Sequence, residues 1–158
     1  MAGERIVVGM SGGVDSSVAA VMERDGRFCL VEEEADGRLV YNQPAGHWEP
    51  GETLVEACER EALEETAHRF RPTHLLGVYR WRHPASDTTF LRFAFVGEVR
   101  GEEAGRPLDA EIRRVLWLAP DEIRRLEDRH RSPLVMACVA DCLAGRRFPL
   151  ALIHHFGE

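Results

Sequence analysis

The apolar positions of the chain fall into short runs broken by Asp-Gly pairs. Val18 to Arg24 and Phe28 to Glu34 are joined through Asp25-Gly26, and Asp36-Gly37 joins the second run to Leu39-Val40-Tyr41. Asp-Gly tolerates the positive φ angles of a tight hairpin turn, so this pattern predicts a three-strand meander. His74 to Trp81 and Phe90 to Val99 read as further strands. In the second of these, Leu91, Phe93 and Phe95 share one face while Phe90, Arg92 and Ala94 share the other. Val115 to Leu118 adds a short strand. Pro120-Asp121-Glu122 opens a short helix, and Ser132-Pro133 gives the last helix an N-cap and a first-turn proline, with Gly145 ending it. Arg100 to Pro107 reads as the most flexible stretch, and no repeat or low-complexity linker interrupts the chain. The expected class is α/β, a mixed sheet with helices packed against it.

One helix carries an unusual load of charge. Thr53 and Glu56 form a capping box that starts it, and at about 100° per residue Glu61, Glu64 and Glu65 lie on one face. Leu54, Ala57, Cys58 and Ala62 lie on or beside the same arc, whereas Glu56 and Glu59 point the other way and Arg60 flanks it. Like charges gathered beside an apolar stripe repel each other and lose hydration. A hard divalent cation removes that cost. Mg²⁺ takes oxygen ligands, commonly one or two carboxylates together with the phosphates of a substrate.

Composition narrows the function classes. The chain has 158 residues, 44% of them hydrophobic, which suits one globular domain and leaves no room for a second. Its 27 acidic and 20 basic residues give a formal charge of −7. That balance argues against nucleic acid as a partner and for a small phosphorylated substrate. Cys29, Cys58, Cys138 and Cys142 form no metal-ligand pattern and read as reduced core cysteines of a cytoplasmic protein. No hydrophobic segment reaches membrane length and no signal peptide is visible, so no membrane partner is expected. A monomer and a homodimer are both compatible with the sequence.

Gly46, five residues, Glu52, seven residues and then Arg60-Glu61-Ala62-Leu63-Glu64-Glu65 resembles the box of the Nudix hydrolase superfamily. The resemblance implies a Nudix fold, a mixed β-sheet sandwiched between helices (α/β/α), and Mg²⁺-dependent hydrolysis of phosphoanhydrides, with Mn²⁺ as a possible substitute. It implies metal binding by Glu61, Glu64 and Glu65 with the carbonyl of Ala45. Arg60 would fix the position of a carboxylate, and Glu61 or Glu111 would act as general base. Ala67 and His68 depart from the pattern, which has Gly and an aliphatic residue there. Gly at a helix end allows the left-handed conformation, so Ala67 should either cost roughly 1 kcal/mol there or end the helix differently.

Asn42-Gln43-Pro44-Ala45-Gly46-His47, Phe90-Leu91-Arg92-Phe93, Arg131-Ser132-Pro133-Leu134-Val135 and Phe148-Pro149-Leu150 together resemble the phosphatase NudJ group. That resemblance implies release of terminal phosphate from nucleoside di- and triphosphates, thiamine pyrophosphate or hydroxymethylpyrimidine pyrophosphate. Ile6 to Ser17 resembles something else, the PP-loop that opens an ATP-using tRNA 2-thiouridylase. Its helix would need Val18 to Glu23, which the Asp25-Gly26 hairpin claims as strand. Residues 1–17 are therefore expected to be a leader without function, with the Nudix domain over 18–158. Two other functional classes stay open on sequence alone: a catalytically silent Nudix domain that binds a nucleotide or thiamine-type ligand, and a tRNA-thiolation fragment.

On the substrate side, Arg92 lies mid-strand among large apolar residues, where phosphate binding and a structural ion pair are alternatives. Trp81 and Tyr79 stack on a substrate ring or fill the core. His154-His155 lacks a ligand pattern and reads as surface.

Overall fold

A computed structural model describes residues 13–157. Two sheets and three α-helices, with two short 3-10 turns, make up the described residues. The larger sheet is mixed and runs β5-β1-β7-β6-β9, with β1 Val14–Val21, β5 Ala45–His47, β6 His68–Arg82, β7 Thr89–Glu102 and β9 Phe148–Pro149. β1 is parallel to β7, in register from Val14↔Thr89 to Val21↔Val96, and its other edge takes β5 antiparallel. The smaller sheet is antiparallel and centred on β3 Arg27–Ala35. This strand pairs with β2 Glu23–Arg24, β4 Arg38–Asn42 and β8 Ile112–Leu118.

The expected meander is correct for β2, β3 and β4 but not for the apolar run before them. Val18 to Val21 is fully buried and belongs to the other sheet. A strand covered on both faces reads as a continuous apolar run, and only its pairing partner decides which sheet it joins. Asp25 and Asp36 take positive φ beside Gly26 and Gly37, as the two hairpin turns require. Of the PP-loop-like segment, Ile6 to Gly12 lies outside the described residues. Val14 to Ser17 is part of β1, and the stretch that a PP-loop would need as helix is strand.

β6 and β7 are longer than the sequence pattern suggests. β6 starts directly after the helix end at Ala67, and Pro72 is accommodated where the ladder slips register. Gly97 lies opposite, where a Cβ would collide with the backbone of Arg71 and Pro72. β7 runs to Glu102, so part of the stretch expected to be loose is sheet.

The helices are α1 Leu54–Thr66, α2 Pro120–Arg125 and α3 Leu134–Leu143. α1 packs its Leu54, Ala57, Cys58 and Ala62 with Val18, Ala20 and Phe95. On the opposite side, Val135, Cys138 and Val139 of α3 pack with Ala19, Val21, Leu76 and Ala94. The larger sheet is thus covered on both faces, which is the expected α/β/α layering. Phe95 is fully buried, and truncating it to Ala would cost about 3–5 kcal/mol. The four cysteines are free and buried. Among the described residues, no helix is long and apolar enough to cross a membrane.

Candidate metal centre

The site is built at the start of α1 and along its outer edge. Thr53 and Glu56 form the capping box, each side chain accepting the other's backbone N–H at 3.1 Å. Before it, the Trp48 indole donates to the Glu52 carbonyl at 2.8 Å, and Glu52 accepts the Glu49 N–H at 2.9 Å. These bonds fix the Glu52 carboxylate at the mouth of the helix.

Arg60 organises the acids around it. It donates to both oxygens of Glu52 at 2.7 and 3.0 Å, to Glu61 Oε1 at 2.8 Å, to Glu64 Oε2 at 3.2 Å and to the His47 carbonyl at 3.0 Å. The hydrogen bonds from Arg60 hold the Glu52 carboxyl below its ordinary range, and the same contacts raise the Arg60 pKa. The positioning role expected for Arg60 has a geometric basis in these contacts, with Glu52, Glu61 and Glu64 all receiving its donors.

Glu61 and Glu64 meet a third carboxylate, Asp109. Oxygens of the three lie within 4.8 Å of one another. Burial raises the pKa of Glu61 despite Arg60, with Glu64 and Asp109 adding to the rise. Burial also raises Asp109, helped by Glu64 and Glu111. Gly46 makes room for the cluster, since a Cβ there would occupy the place of the Glu61 carboxylate. The site therefore gathers like charges at the edge of the core, a donor set of hard oxygens that fits Mg²⁺ or Mn²⁺.

Glu65 lies deeper, 5% exposed, and is not among the three clustered acids. Its Oε1 accepts the Ala45 N–H at 2.8 Å. Burial pushes its carboxyl up to about 9, against the Ala45 hydrogen bond, with the charges of Glu33, Glu61 and Asp109 contributing. Ala45 thus meets the acidic centre through its N–H. Glu111 is exposed, and its backbone carbonyl accepts the Glu34 N–H at 3.0 Å.

Asp109 is the site residue that sequence reasoning missed. The signal was present in Leu108-Asp109-Ala110-Glu111-Ile112, but which of its two acids turns inward depends on the path of the loop. Arg92 is 5% exposed and donates to Gln43 Oε1 at 2.9 Å and Asn42 Oδ1 at 2.8 Å. Gln43 in turn donates to the Val135 carbonyl at 2.8 Å, linking Arg92 to α3. Trp81 stacks on Phe90, ring centroids 5.6 Å apart. Tyr79 donates its hydroxyl to Asp141 at 2.7 Å. His155, exposed as expected, also accepts the Leu54 N–H at 3.3 Å at the start of α1.

The comparisons agree with this geometry. Residues 14–137 match the NUDIX domain model. The chain is 39% identical over 140 residues to phosphatase NudJ of Shigella boydii and of Escherichia coli K12, covering 89% of this chain and 90% of each relative. A solved NUDIX hydrolase from Nitrosomonas europaea superposes with a TM-score of 0.87 at 47% identity, over 90% of this chain and 97% of that one. By its domain match, its relatives and its fold, the chain belongs to the Nudix hydrolase family.

Proposed function

We propose that this Nudix hydrolase cleaves a terminal phosphoanhydride in a metal-dependent reaction, as a NudJ-like phosphatase. Its substrates would be nucleoside di- or triphosphates, thiamine pyrophosphate or hydroxymethylpyrimidine pyrophosphate. The observation that carries the reading is the convergence of Glu61, Glu64 and Asp109 beside the arginine that orders them. Mg²⁺, or Mn²⁺ in its place, would supply neutralisation of the phosphoryl charge and a lowered pKa for water.

The protein's own groups do the rest. Glu61, Glu64 and Asp109 would hold the ion, and Glu65 and the carbonyl of Ala45 would complete the ligand set that the Nudix box implies. Arg60 keeps the carboxylates apart and aligned. Water attacks the terminal phosphorus as the anhydride P–O bond breaks, and Glu61 or Glu111 takes its proton. Arg92 acts from behind Asn42 and Gln43 as a positioning residue, and Trp81 serves the substrate ring. In this reading the enzyme is cytoplasmic and works as a monomer or homodimer on small-molecule partners, with the acidic charge weighing against nucleic acid. Residues 1–12 take no part.

A panel of these diphosphates with Mg²⁺ or Mn²⁺, scored for orthophosphate against pyrophosphate, tests the reading. Orthophosphate release that stops in excess chelator and returns with Mg²⁺ is the expected result. Undiminished hydrolysis in chelator would refute it.

A further inference from the structure

Gly46 and His47 of β5 meet the acidic centre directly. A Cβ on Gly46 would take the place of the Glu61 carboxylate, and the His47 carbonyl accepts Arg60 Nη2 at 3.0 Å. The position of β5 is therefore passed on to both Glu61 and Arg60. Yet β5 is three residues long, its ladder with β1 stops at the pair Ser17↔His47, and His47 is followed by the exposed residues Trp48 to Gly51. A strand end that runs into exposed chain frays unless something beyond the ladder holds it.

Asp15 is placed to do so. It precedes Ser17 by two residues on β1, so its side chain stands on the face that Ser17 shares with His47. Its Oδ1 lies 2.8 Å from His47 Nε2, a diagonal cross-strand contact just past the last ladder pair. The bond needs a proton only on Nε2, which the neutral ring and the charged ring both supply. β1 is itself anchored at this point, since Asp15 pairs with Phe90 of β7 and the Thr89 N–H donates to the Gly13 carbonyl at 2.9 Å. The side chains of Asp15 and His47 are 33% and 59% exposed, and a contact so open to water adds little to overall stability. What it contributes is position.

We infer that Asp15 is a positioning residue of the acidic centre. It holds the His47 ring, the His47 carbonyl holds Arg60, and Arg60 holds Glu52, Glu61 and Glu64, with no link longer than 3.2 Å. A side chain outside the Nudix box thereby reaches the acids of the box in three steps. It comes from the PP-loop-like segment, to which the sequence alone assigns no function. The inference deepens the hydrolase reading and rests on it for what the centre binds and does.

Calorimetric titration of the full chain with Mn²⁺, alongside turnover of a diphosphate at increasing Mn²⁺, tests it. Asp15→Ala should weaken Mn²⁺ binding roughly 10-fold, the lower end of what contacts that orient metal ligands are worth, and raise the Mn²⁺ needed for half-maximal turnover by the same factor. Asp15→Asn keeps an oxygen acceptor and should recover most of the loss. His47→Ala should match Asp15→Ala, and the double variant should be no worse than either, because both remove one bond. Arg100→Ala breaks a pair of similar exposure with Glu98 on β7 and should leave Mn²⁺ affinity unchanged. Wild-type Mn²⁺ affinity in folded Asp15→Ala, or single losses that add in the double variant, would overturn the inference. Should Asp15→Ala fail to fold, His47→Ala decides, wild-type affinity overturning the inference and the expected loss supporting it. A wild type that binds Mn²⁺ but hydrolyses no diphosphate would overturn the hydrolase reading alone, since the titrations still judge Asp15. No Mn²⁺ binding by wild type would overturn both.

Discussion

The backbone N–H of Asp109 donates to the carbonyl oxygen of Glu64 at 3.0 Å. Carbonyls in the last turn of a helix have no partner within it, so this bond both satisfies one and delivers a carboxylate from a loop to a carboxylate on α1. The centre thus depends on a contact between segments far apart in sequence.

Charge removal at that contact should be costly. Glu64→Gln and Asp109→Asn keep size and hydrogen-bonding capacity but each remove one negative charge from the centre, so turnover should fall by on the order of 10². Glu56→Gln, in the exposed capping box, should stay within about twofold provided the helix remains folded. Steady-state rates at saturating Mg²⁺ distinguish these cases. Wild-type rates in both centre variants would remove Asp109 and Glu64 from the chemistry.

Ala67 closes α1 at φ 59° and ψ 15°, with its N–H on the Leu63 carbonyl. An L-residue pays roughly 1–2 kcal/mol in this region. The methyl group is buried, however, and Gly also gains freedom in the unfolded chain, which together offset most of the relief. Ala67→Gly should therefore stabilise by less than about 1 kcal/mol without changing turnover, as read from urea midpoints. Ala67→Val, β-branched at the same φ, should destabilise clearly.

Glu32 gives the fold an acid-sensitive joint. Its buried carboxylate accepts from Arg114 at 3.1 and 3.3 Å, from the Tyr41 hydroxyl at 2.8 Å and from Arg129 at 3.3 Å. The Arg114 hydrogen bond leads in holding its pKa below 4.5, against burial. A carboxylate depressed on folding contributes stability above its unfolded pKa and loses it as pH falls through the folded value. Glu32→Gln should accordingly melt earlier than wild type at pH 7, with the gap closing below about pH 4. A gap that stays constant down to pH 3 would mean that packing, not ionisation, sets the effect.

The N-terminal segment can be dissected by length. Removing Met1 to Gly12 should leave melting temperature and turnover within a few-fold of the full chain. Extending the deletion through Ser17 removes the pairs from Val14↔Thr89 to Ser17↔Arg92 and the Asp15–His47 contact of 2.8 Å, and should lower the melting temperature by several degrees. Loss of activity in the shorter deletion, with folding intact, would give the first twelve residues a role.

Features set by neighbours in sequence were legible before the structure. The capping box at Thr53 and Glu56 and the face of α1 that carries Glu61, Glu64 and Glu65 follow from spacing within a few turns of chain, whereas the left-handed end at Ala67 was suggested only by the family pattern, which has Gly there. Asp109 was not legible, because its place beside Glu64 is fixed by a loop closing over 45 positions. The sheet to which Val18 to Val21 belongs was misread for the same kind of reason. Its apolar run specifies burial on two faces, and the choice of β7 over β3 is made by tertiary pairing.

The parallel pairing of β1 with β7 sets an order of events during synthesis. Val14–Val21 leaves the ribosome early, yet the strand it must join, from Thr89, follows roughly 70 residues later. At about 5–20 residues per second the apolar strand waits on the order of 4–14 s for its partner. The β6–β7 hairpin, by contrast, is local in sequence and forms within microseconds of being complete. β1 therefore finds its place in the sheet long after it is made, and α1 cannot pack its apolar face against Val18 and Ala20 until it does.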